Sequence, residues 1–599
     1  DAKESNPPFT FHHVAGEIRW LGDSIAFDLP RFALAGSTGR ATGNVWWTPG
    51  ETPDYRIHVV GDSVALADVA WISPSLPTEG RGRMTLDIRN QPRSSEVFEY
   101  AISDMDVFAH RSRVRGRMTW VIGGPVAIMK DVDLEAAPVD FALIERFNQG
   151  PLAYPFAGQI TGRMRGRGGP LDRFVIDDLR MSYRDGNVPG AFASGRARGM
   201  LDIYEPAYTE FRGFTVALDS FDLRTIQAVN PDFPLLHGKL SGSAVLDSSW
   251  LDMRFSQGDF VHFDGDLPRS RFLGAGRVTS GEVEMVYDVA FEAQPLAMTT
   301  LASSFPELPL RGDFSGPLKV RGTLHDLFVD ADFEGDAGRI AANVMVDMEL
   351  PKYRLIGETR ITALDPSVAF ADSTLPSGEL NARLTTDIGG DSLADLTGTV
   401  VLGLDRSTLA GVRLFAGDAR LGFGGGVMTL DTLHLETTVV QVDAGGALGL
   451  HAGREDSLNV TARVDSLGGF RRWLTSSATD TLDGGLQIDG VARGWVRDFA
   501  FDATLDGEGL LVGAAGVRLL TGSAELTGLP SAAKGTLSLA ADTLRAAGFA
   551  ISRLFSRATL DGRGGATLDL DMNGANGTRA AARAQVAMAT DTVQVLLDS

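Results

Sequence analysis

Along most of the chain, apolar and other residues alternate with a period of two. Met285, Tyr287, Val289 and Phe291, with Val283 before them, fall on one side of such a stretch, and Glu282, Glu284, Asp288 and Ala290 on the other. The same period runs through Leu179, Met181 and Tyr183, through Leu327, Val329, Ala331 and Phe333, and through Val344, Val346, Met348 and Leu350. It returns in Val440, Val442 and Ala444 and in Phe499, Phe501, Ala503 and Leu505. A period of two marks strands with one buried face. Gly, Asp-Gly, Gly-Asp and Asn-Gly steps separate these runs, as antiparallel hairpins require. Long helical periodicity is missing, so the pattern predicts an all-β chain.

A longer period lies over the first. Pro155-Phe156-Ala157-Gly158-Gln159-Ile160-Thr161-Gly162 matches Leu235-Leu236-His237-Gly238-Lys239-Leu240-Ser241-Gly242, and both match Leu310-Arg311-Gly312-Asp313-Phe314-Ser315-Gly316. Weaker copies start at Gly80, Gly378, Gly484 and Gly562, and successive anchor glycines stand 78, 80, 74, 66, 106 and 78 residues apart. Most copies follow a segment able to form two helical turns. These segments run over 142–149, 224–229, 298–304, 469–476 and 547–556, preceded by pairs such as Val139-Asp140, Phe221-Asp222 or Val464-Asp465. A near-fixed period of supersecondary units predicts one continuous repeat array. Its approximate units are 1–79, 80–157, 158–237, 238–311, 312–377, 378–483, 484–561 and 562–599.

Composition narrows the class. Apolar residues are 44% and charged residues 22% of the 599, a globular balance rather than a disordered one. The 70 glycines suit a chain with very many turns. A net charge of −22 repels phosphate backbones, so nucleic acid is not an expected partner. With no cysteine, disulfides, thiolate catalysis and Cys-ligated metals drop out. No stretch nears eighteen consecutive apolar residues. The chain opens at Asp1 without a signal peptide and closes on Val593, Val595 and Leu597 within an apparent strand, which suggests a segment of a longer protein with any anchor outside it.

The run Phe221-Asp222-Leu223-Arg224-Thr225-Ile226, followed by Pro231-Asp232-Phe233-Pro234-Leu235-Leu236-His237-Gly238-Lys239-Leu240-Ser241-Gly242, resembles the repeat of the AsmA-like and TamB-like proteins of Gram-negative bacteria. So does Glu307-Leu308-Pro309-Leu310-Arg311-Gly312-Asp313-Phe314-Ser315-Gly316 with its continuation Leu318-Lys319-Val320-Arg321-Gly322-Thr323-Leu324. The resemblance extends over the whole chain as a pattern and draws its specificity from repetition. It implies an elongated, curled antiparallel β-sheet (a β-groove or taco-like solenoid) of repeated units with short helices and an apolar concave face. It also implies a periplasmic protein anchored in the inner membrane, serving as a conduit for phospholipid towards the outer membrane. The TamB branch adds assembly of outer-membrane proteins with a barrel partner. Neither the N-terminal anchor nor the C-terminal domain of that branch is seen here.

Catalytic constellations are missing. There is no Gly-x-Ser-x-Gly elbow, no phosphate loop and no His-Glu-x-x-His pair, so the expectation is a protein that is not an enzyme and takes no cofactor. His12 and His13 are adjacent, and neighbours on a strand face opposite sides, so they converge poorly on a metal. Asp569, Asp571, Asn573 and Gly574 open like a calcium loop, but Ala580 stands where the bidentate glutamate belongs. The glycines around Gly166, Gly168 and Gly169 fail the dinucleotide spacing.

A sheet with one apolar face must have that face covered, by a second sheet, by closing on itself, or by an apolar ligand along it. The expected partners are therefore phospholipid acyl chains, held at about 0.8 kcal/mol per buried methylene without directional chemistry. The resemblance adds inner-membrane components and an outer-membrane barrel protein. The candidate lipid-facing residues are Leu179, Met181, Tyr183, Val283, Met285, Tyr287, Val289, Phe291, Leu327, Val329, Phe333, Val344, Val346, Met348, Leu350, Val440, Val442, Phe499, Phe501 and Leu505. The alternatives are a scaffold that accepts a client strand by β-augmentation and a purely structural envelope protein.

Overall fold

The computed structural model describes residues 10–47, 53–70, 77–91, 94–147, 155–204, 209–229, 233–280, 284–306, 310–348, 353–370, 375–470, 481–513, 515–546, 549–575, 577–589 and 592–598. Strands take 74% of the chain and helices 7%, so the expected all-β antiparallel architecture is what forms. Two compact units divide it. The first holds Asp1–Pro309 with Asp313–Leu324, and the second holds Leu310–Gly312 with His325–Ser599.

Unit 1 carries seventeen strands, from His12–Trp20 to Asp313–Gly322. Each pairs antiparallel with the next, as in Phe174–Asp185 with Phe192–Asp202. Nearly every pairing contains a register shift, for example between Ile176 and Leu179. A bulge adds one residue without a partner and so exchanges the two faces beyond it. This is why Phe174 and Ile176 share one cluster with Leu179 despite their opposite parity.

Unit 2 carries eighteen strands, from Leu327–Gly335 to Thr592–Asp598. Among the described residues its order departs from the plain meander at two places, one of them a single parallel bridge between Gly449 of Gln441–Gly449 and Trp495 of Leu482–Trp495. Thr397–Leu404 and the three-residue Ser407–Leu409 both pair with Gly378–Gly390 and with Val412–Gly424, as two pieces of one interrupted strand. The 106-residue spacing of the sequence copies falls across this part of the unit.

Short helices interrupt the strands at recurrent places. Phe141–Phe147, Leu223–Thr225 with Ile226–Val229, and Met298–Ser304 form where the sequence predicts them. Leu467–Phe470 forms a single 3-10 turn, and most of the predicted 469–476 segment lies outside the described residues. Two more helices, Leu66–Val69 and Pro366–Ala369, stand upstream of the weaker copies at Gly80 and Gly378. The predicted helix over 547–556 is corrected: Phe549–Asp561 is a strand, paired on both sides with Lys534–Ala546 and Gly565–Gly574. Two ladders outweigh the weak helical preference of this stretch.

Two devices seat the helices. An aspartate just ahead accepts a backbone N–H two residues on: Asp140 from Ala142 at 3.1 Å, Asp222 from Arg224 at 3.1 Å and Asp365 from Ser367 at 3.0 Å. This satisfies an orphan donor of the first turn. The second device joins strand to strand. The residue before the helix donates its own N–H to a buried serine at the head of the neighbouring strand. Ala65 donates to Ser37, Asp140 to Ser112 and Ala297 to Ser270, each at 2.9 Å.

All seven anchor glycines adopt positive φ. Gly158, at φ +109°, would place a Cβ 2.1 Å from the Arg184 carbonyl oxygen. No side chain fits there, because the neighbouring backbone itself occupies the space. Gly190 has φ +79° but nothing within 4 Å of its Cβ position. Gly190→Ala is therefore expected to cost only the left-handed strain, about 1 kcal/mol. Gly158→Ala adds a steric clash and should cost about 3 kcal/mol or more. Denaturant midpoints of the two variants, compared with the parent chain, measure the order; equal losses would contradict it.

Candidate functional site

In an antiparallel ladder, residues directly opposite each other point to the same face. The polarity of a face can therefore be followed across the strands one pair at a time. In unit 2 one row runs Ala331, Ala342, Thr359, Leu384, Leu402, Ala419, Leu433, Ala444, Val460, Gly490, Ala503, Ala524, Leu537, Ala558, Leu568 and Ala584. It crosses sixteen strands without a charged residue. One residue along each strand, on the opposite face, the partners read Asp332, Ala341, Arg360, Arg383, Gly403, Asp418, His434, Asp443, Thr461, Asp489, Thr504, Ser523, Ser538, Arg557, Asp569 and Arg583. The first row is buried or half-buried throughout, and the second is mostly exposed.

Unit 1 shows the same segregation in shorter runs. Leu29, Ala41, Val59, Leu86, Ile102 and Met118 form one row, and Phe27, Gly43, Ile57, Ile88, Tyr100, Trp120 and Met129 form the row beside it. Further along come Leu134, Met164, Leu179, Ala197, Val216 and Ala244, then Phe214, Leu246, Phe255, Gly276, Val289 and Val320. Met129, Val132, Phe174, Ile176 and Phe214 are the buried centre of this face.

Glycine shapes the apolar face as well as the turns. Phe255 and Phe291 stack at 5.8 Å between ring centroids although a whole strand, Ser270–Ser280, separates theirs. Two strand spacings amount to about 9.6 Å, so the rings lean towards each other over the strand between them. The intervening strand presents Gly276, where a Cβ would lie 2.6 Å from Val289 Cγ1 and 2.9 Å from Phe255 Cε1. Phe260 and Phe272 close on Phe291 edge-on at 6.3 and 6.0 Å. The composition had suggested turns as the main use of glycine; this second use was not read from it.

The candidate residues fall as follows. Met285, Tyr287, Val289 and Phe291 alternate as half-buried positions against exposed Glu284, Val286, Asp288 and Ala290. Leu327, Phe333 and Val344 are buried, while Val329, Val346 and Met348 are half-buried, Met348 just past the strand Gly338–Asp347. Val442, Phe499, Phe501 and Leu505 are half-buried in their rows. Val440 sits in a turn, its carbonyl accepting from the Thr437 N–H at 3.1 Å. Val283 and Leu350 lie outside the described residues. Leu179 is half-buried in the unit 1 cluster, whereas Met181 is 39% exposed between Gly162 and Gly195.

Tyr183 is no open lining residue. Phe141 of the helix Phe141–Phe147 meets its ring at 5.4 Å and Phe156 at 6.3 Å, and its hydroxyl donates to the Ala157 carbonyl at 2.7 Å. Burial raises the phenol's pKa further. Alternation gave the side on which Tyr183 lies but not what covers it. The neighbouring helices behave alike: Leu66 and Leu143 bury against Ala109, with Val69, Val107 and Val139 around them. The helices thus pack over the strand ends where they arise.

The opposite face is laced by arginine–carboxylate pairs. Arg113 grips Asp106 with two bonds of 2.8 Å, Arg163 grips Asp133 at 2.6 and 2.7 Å, and Arg271 grips Asp259 at 2.8 and 2.7 Å. The guanidinium hydrogen bond holds the carboxyls of Asp133 and Asp259 below their ordinary range. The His434 imidazole, bonded to Asp443 at 2.7 Å, is held above its ordinary value. Among the described residues, no group of three acidic or histidine side chains is placed to hold a metal, and no helix is long and apolar enough to cross a membrane. Asp569, the first of the calcium-like run, bonds Arg583 at 2.6 Å from within the strand Gly565–Gly574.

Asp106 gives the clearest pH signature. Its hydrogen bonds from Arg113 lower its pKa from 3.8 to about 2. A carboxyl with a depressed folded pKa stabilises the fold at pH above its unfolded value, and that contribution fades as pH falls through the folded one. NMR titration should place the Asp106 midpoint near 2, and Arg113→Gln should return it towards 3.8 and remove this share of the acid sensitivity between those values. A midpoint that ignores Arg113 would refute the pairing. Set beside known proteins, the chain matches no family model and no curated protein.

Proposed function

We propose that the apolar face is a lipid-binding track, on which acyl chains of phospholipid lie against the cross-strand rows while headgroups stay in water. The observation that carries this reading is the row from Ala331 to Ala584, uncharged over sixteen strands. Its side chains are mostly half-buried rather than buried, the condition of an apolar surface with capacity for a further apolar layer. Burial of methylenes is non-directional, so a chain held this way meets no single deep trap and can move along the row. In this reading the protein works in the periplasm, carries lipid between the inner and outer membranes, and performs no catalysis.

The rival occupant is a client strand added to an exposed sheet edge. The strand His12–Trp20 favours it locally. Among the described residues it pairs with Ser24–Ala33 alone, and Ile18 and Trp20 are 67% and 69% exposed. An apolar residue exposed at an edge suits a strand-like partner as well as a lipid.

A charge placed in the row separates the two readings. Leu537 lies in the apolar row and Ser538 on the opposite face of the same strand. Leu537→Asp should abolish lipid co-purification and transfer between vesicles, since an unpaired carboxylate in an apolar layer costs several kcal/mol. Ser538→Asp, which faces Arg557, should leave both unchanged. Retained β circular dichroism in both variants would locate the loss in the track. Undiminished transfer by a folded Leu537→Asp protein would sink the lipid reading and favour the edge-strand one.

A further inference from the structure

The strand His12–Trp20 is an edge of unit 1. Among the described residues it pairs with Ser24–Ala33 alone, and all nine of its residues are exposed. Edge strands are ordinarily guarded by proline, lysine, inward-pointing charge or shortness. This one contains neither proline nor lysine. Its charges, Glu17 and Arg19, stand opposite Asp28 and Ala26 on the polar face. Ile18 stands opposite Phe27 and Trp20 opposite Ile25, both on the apolar face.

The direction of the open backbone groups follows from the adjoining turn. Leu21 donates its N–H to the Ser24 carbonyl at 2.8 Å, so its backbone is turned towards the neighbouring strand. That direction alternates along a strand in an antiparallel ladder. Arg19 and Glu17 therefore also bond inwards, and Gly16, Ile18 and Trp20 present their N–H and C=O groups to the open edge. Outward groups recur at every second residue, so an incoming antiparallel strand can slip only in steps of two.

We propose that this edge pairs with the same edge of a second copy of the chain, antiparallel and centred on Ile18. In that register Ile18 opposes its own counterpart, and Gly16 opposes Trp20 on either side of it, all as hydrogen-bonded pairs. Between them Glu17 opposes Arg19 twice, at the non-hydrogen-bonded sites where side chains come closest. A slip of two residues one way sets Glu17 against Glu17, and the other way Arg19 against Arg19. Like charges directly opposite are destabilising, so charge selects the centred register. Within its own strand Arg19 already bonds Glu17 at 3.0 Å, with both side chains exposed, so both are on hand to meet the second copy. Each Trp20 lies over a residue without a side chain, an arrangement that shields an edge glycine. The contact is the same patch on both copies and closes at two. Through it the row Ile18, Phe27, Gly43, Ile57, Ile88 and Tyr100 meets its counterpart, Ile18 against Ile18. A second copy is the occupant because the strand is complementary to itself in charge and in volume. The inference holds whether or not the apolar face carries lipid.

Sedimentation equilibrium of the whole chain, at concentrations up to about 1 mM, should show a dimer and nothing larger. Ile18→Pro removes an outward N–H and no ladder bond within the chain, and should weaken the dimer at least about tenfold. Glu17→Arg and Arg19→Glu each set like charges opposite one another and should weaken it several-fold. Mixed in equal amounts, these two variants match both contacts and should restore association. The chain has no cysteine, so Ile18→Cys offers one thiol per copy. Directly opposite Cα atoms about 5.5 Å apart suit a disulfide, and mild oxidation should yield a covalent dimer. A chain that stays monomeric throughout and gives no covalent dimer overturns the proposal. So does a dimer indifferent to Ile18→Pro with β circular dichroism intact, or a mixture no tighter than the single charge variants. Growth past two copies would mean that unlike edges meet, and overturns it as well. The charge exchange and the cross-link decide the matter if Ile18→Pro does not fold.

Discussion

Direct opposition across the ladder governs this molecule. A residue and its partner on the next strand share a face, so the character of a face is handed on pair by pair, and one strand in the wrong register would put its apolar set into water. Ala419 opposite Leu402 and Leu433, with Arg420 opposite Val401 and Thr432, shows the rule over three strands. Even where the register slips inside a pair, as between Arg420 and Leu421, Leu421 still meets Leu430 in the apolar set. The bulges therefore preserve the segregation that they would otherwise break.

The second constraint is volume. Strands about 4.8 Å apart leave too little room for large side chains at every position of one face. Glycine relieves the crowding where Gly276 lies beneath Phe255 and Val289, and where Gly490 would carry a Cβ 2.4 Å from Phe501 Cζ. The polar face meets a different demand. There the arginine–carboxylate pairs let an acidic chain place charge beside charge without leaving most of it unmatched, and surface pairs of this type are individually worth little.

Much of this was legible in the residues because the strand period is a local property. The alternation in Met285, Tyr287, Val289 and Phe291 is the same pattern that the burial shows, since a strand exposed on one side has no other way to sort its side chains. What covers a residue is not local. Tyr183 follows the alternation yet is closed off by Phe141 and Phe156, which approach it from a different part of the chain. The segment 547–556 failed for a related reason. Its apolar residues Phe549, Ile551, Leu554 and Phe555 do not alternate strictly, and Phe555 in fact lies on the polar face with Arg557 over its ring at 5.9 Å. The buried serines Ser37, Ser112 and Ser270 had no signal of their own, because each accepts from the backbone N–H of a residue 27 or 28 positions later.

The serine links bear on how such a chain can change length. Each one ties the head of a strand to the end of its neighbour just before the next helix. Adding or deleting a hairpin elsewhere keeps strand direction and face parity intact, because two strands restore both. Adding one strand would reverse direction for everything downstream, and adding one unbulged residue would turn the apolar set outwards. Variation in this architecture is thereby steered towards whole hairpins. The spacings of 66 to 80 residues from Gly80 to Gly378 hold four strands each, and the 106 residues from Gly378 to Gly484 hold one hairpin more when Thr397–Leu404 and Ser407–Leu409 count as one strand.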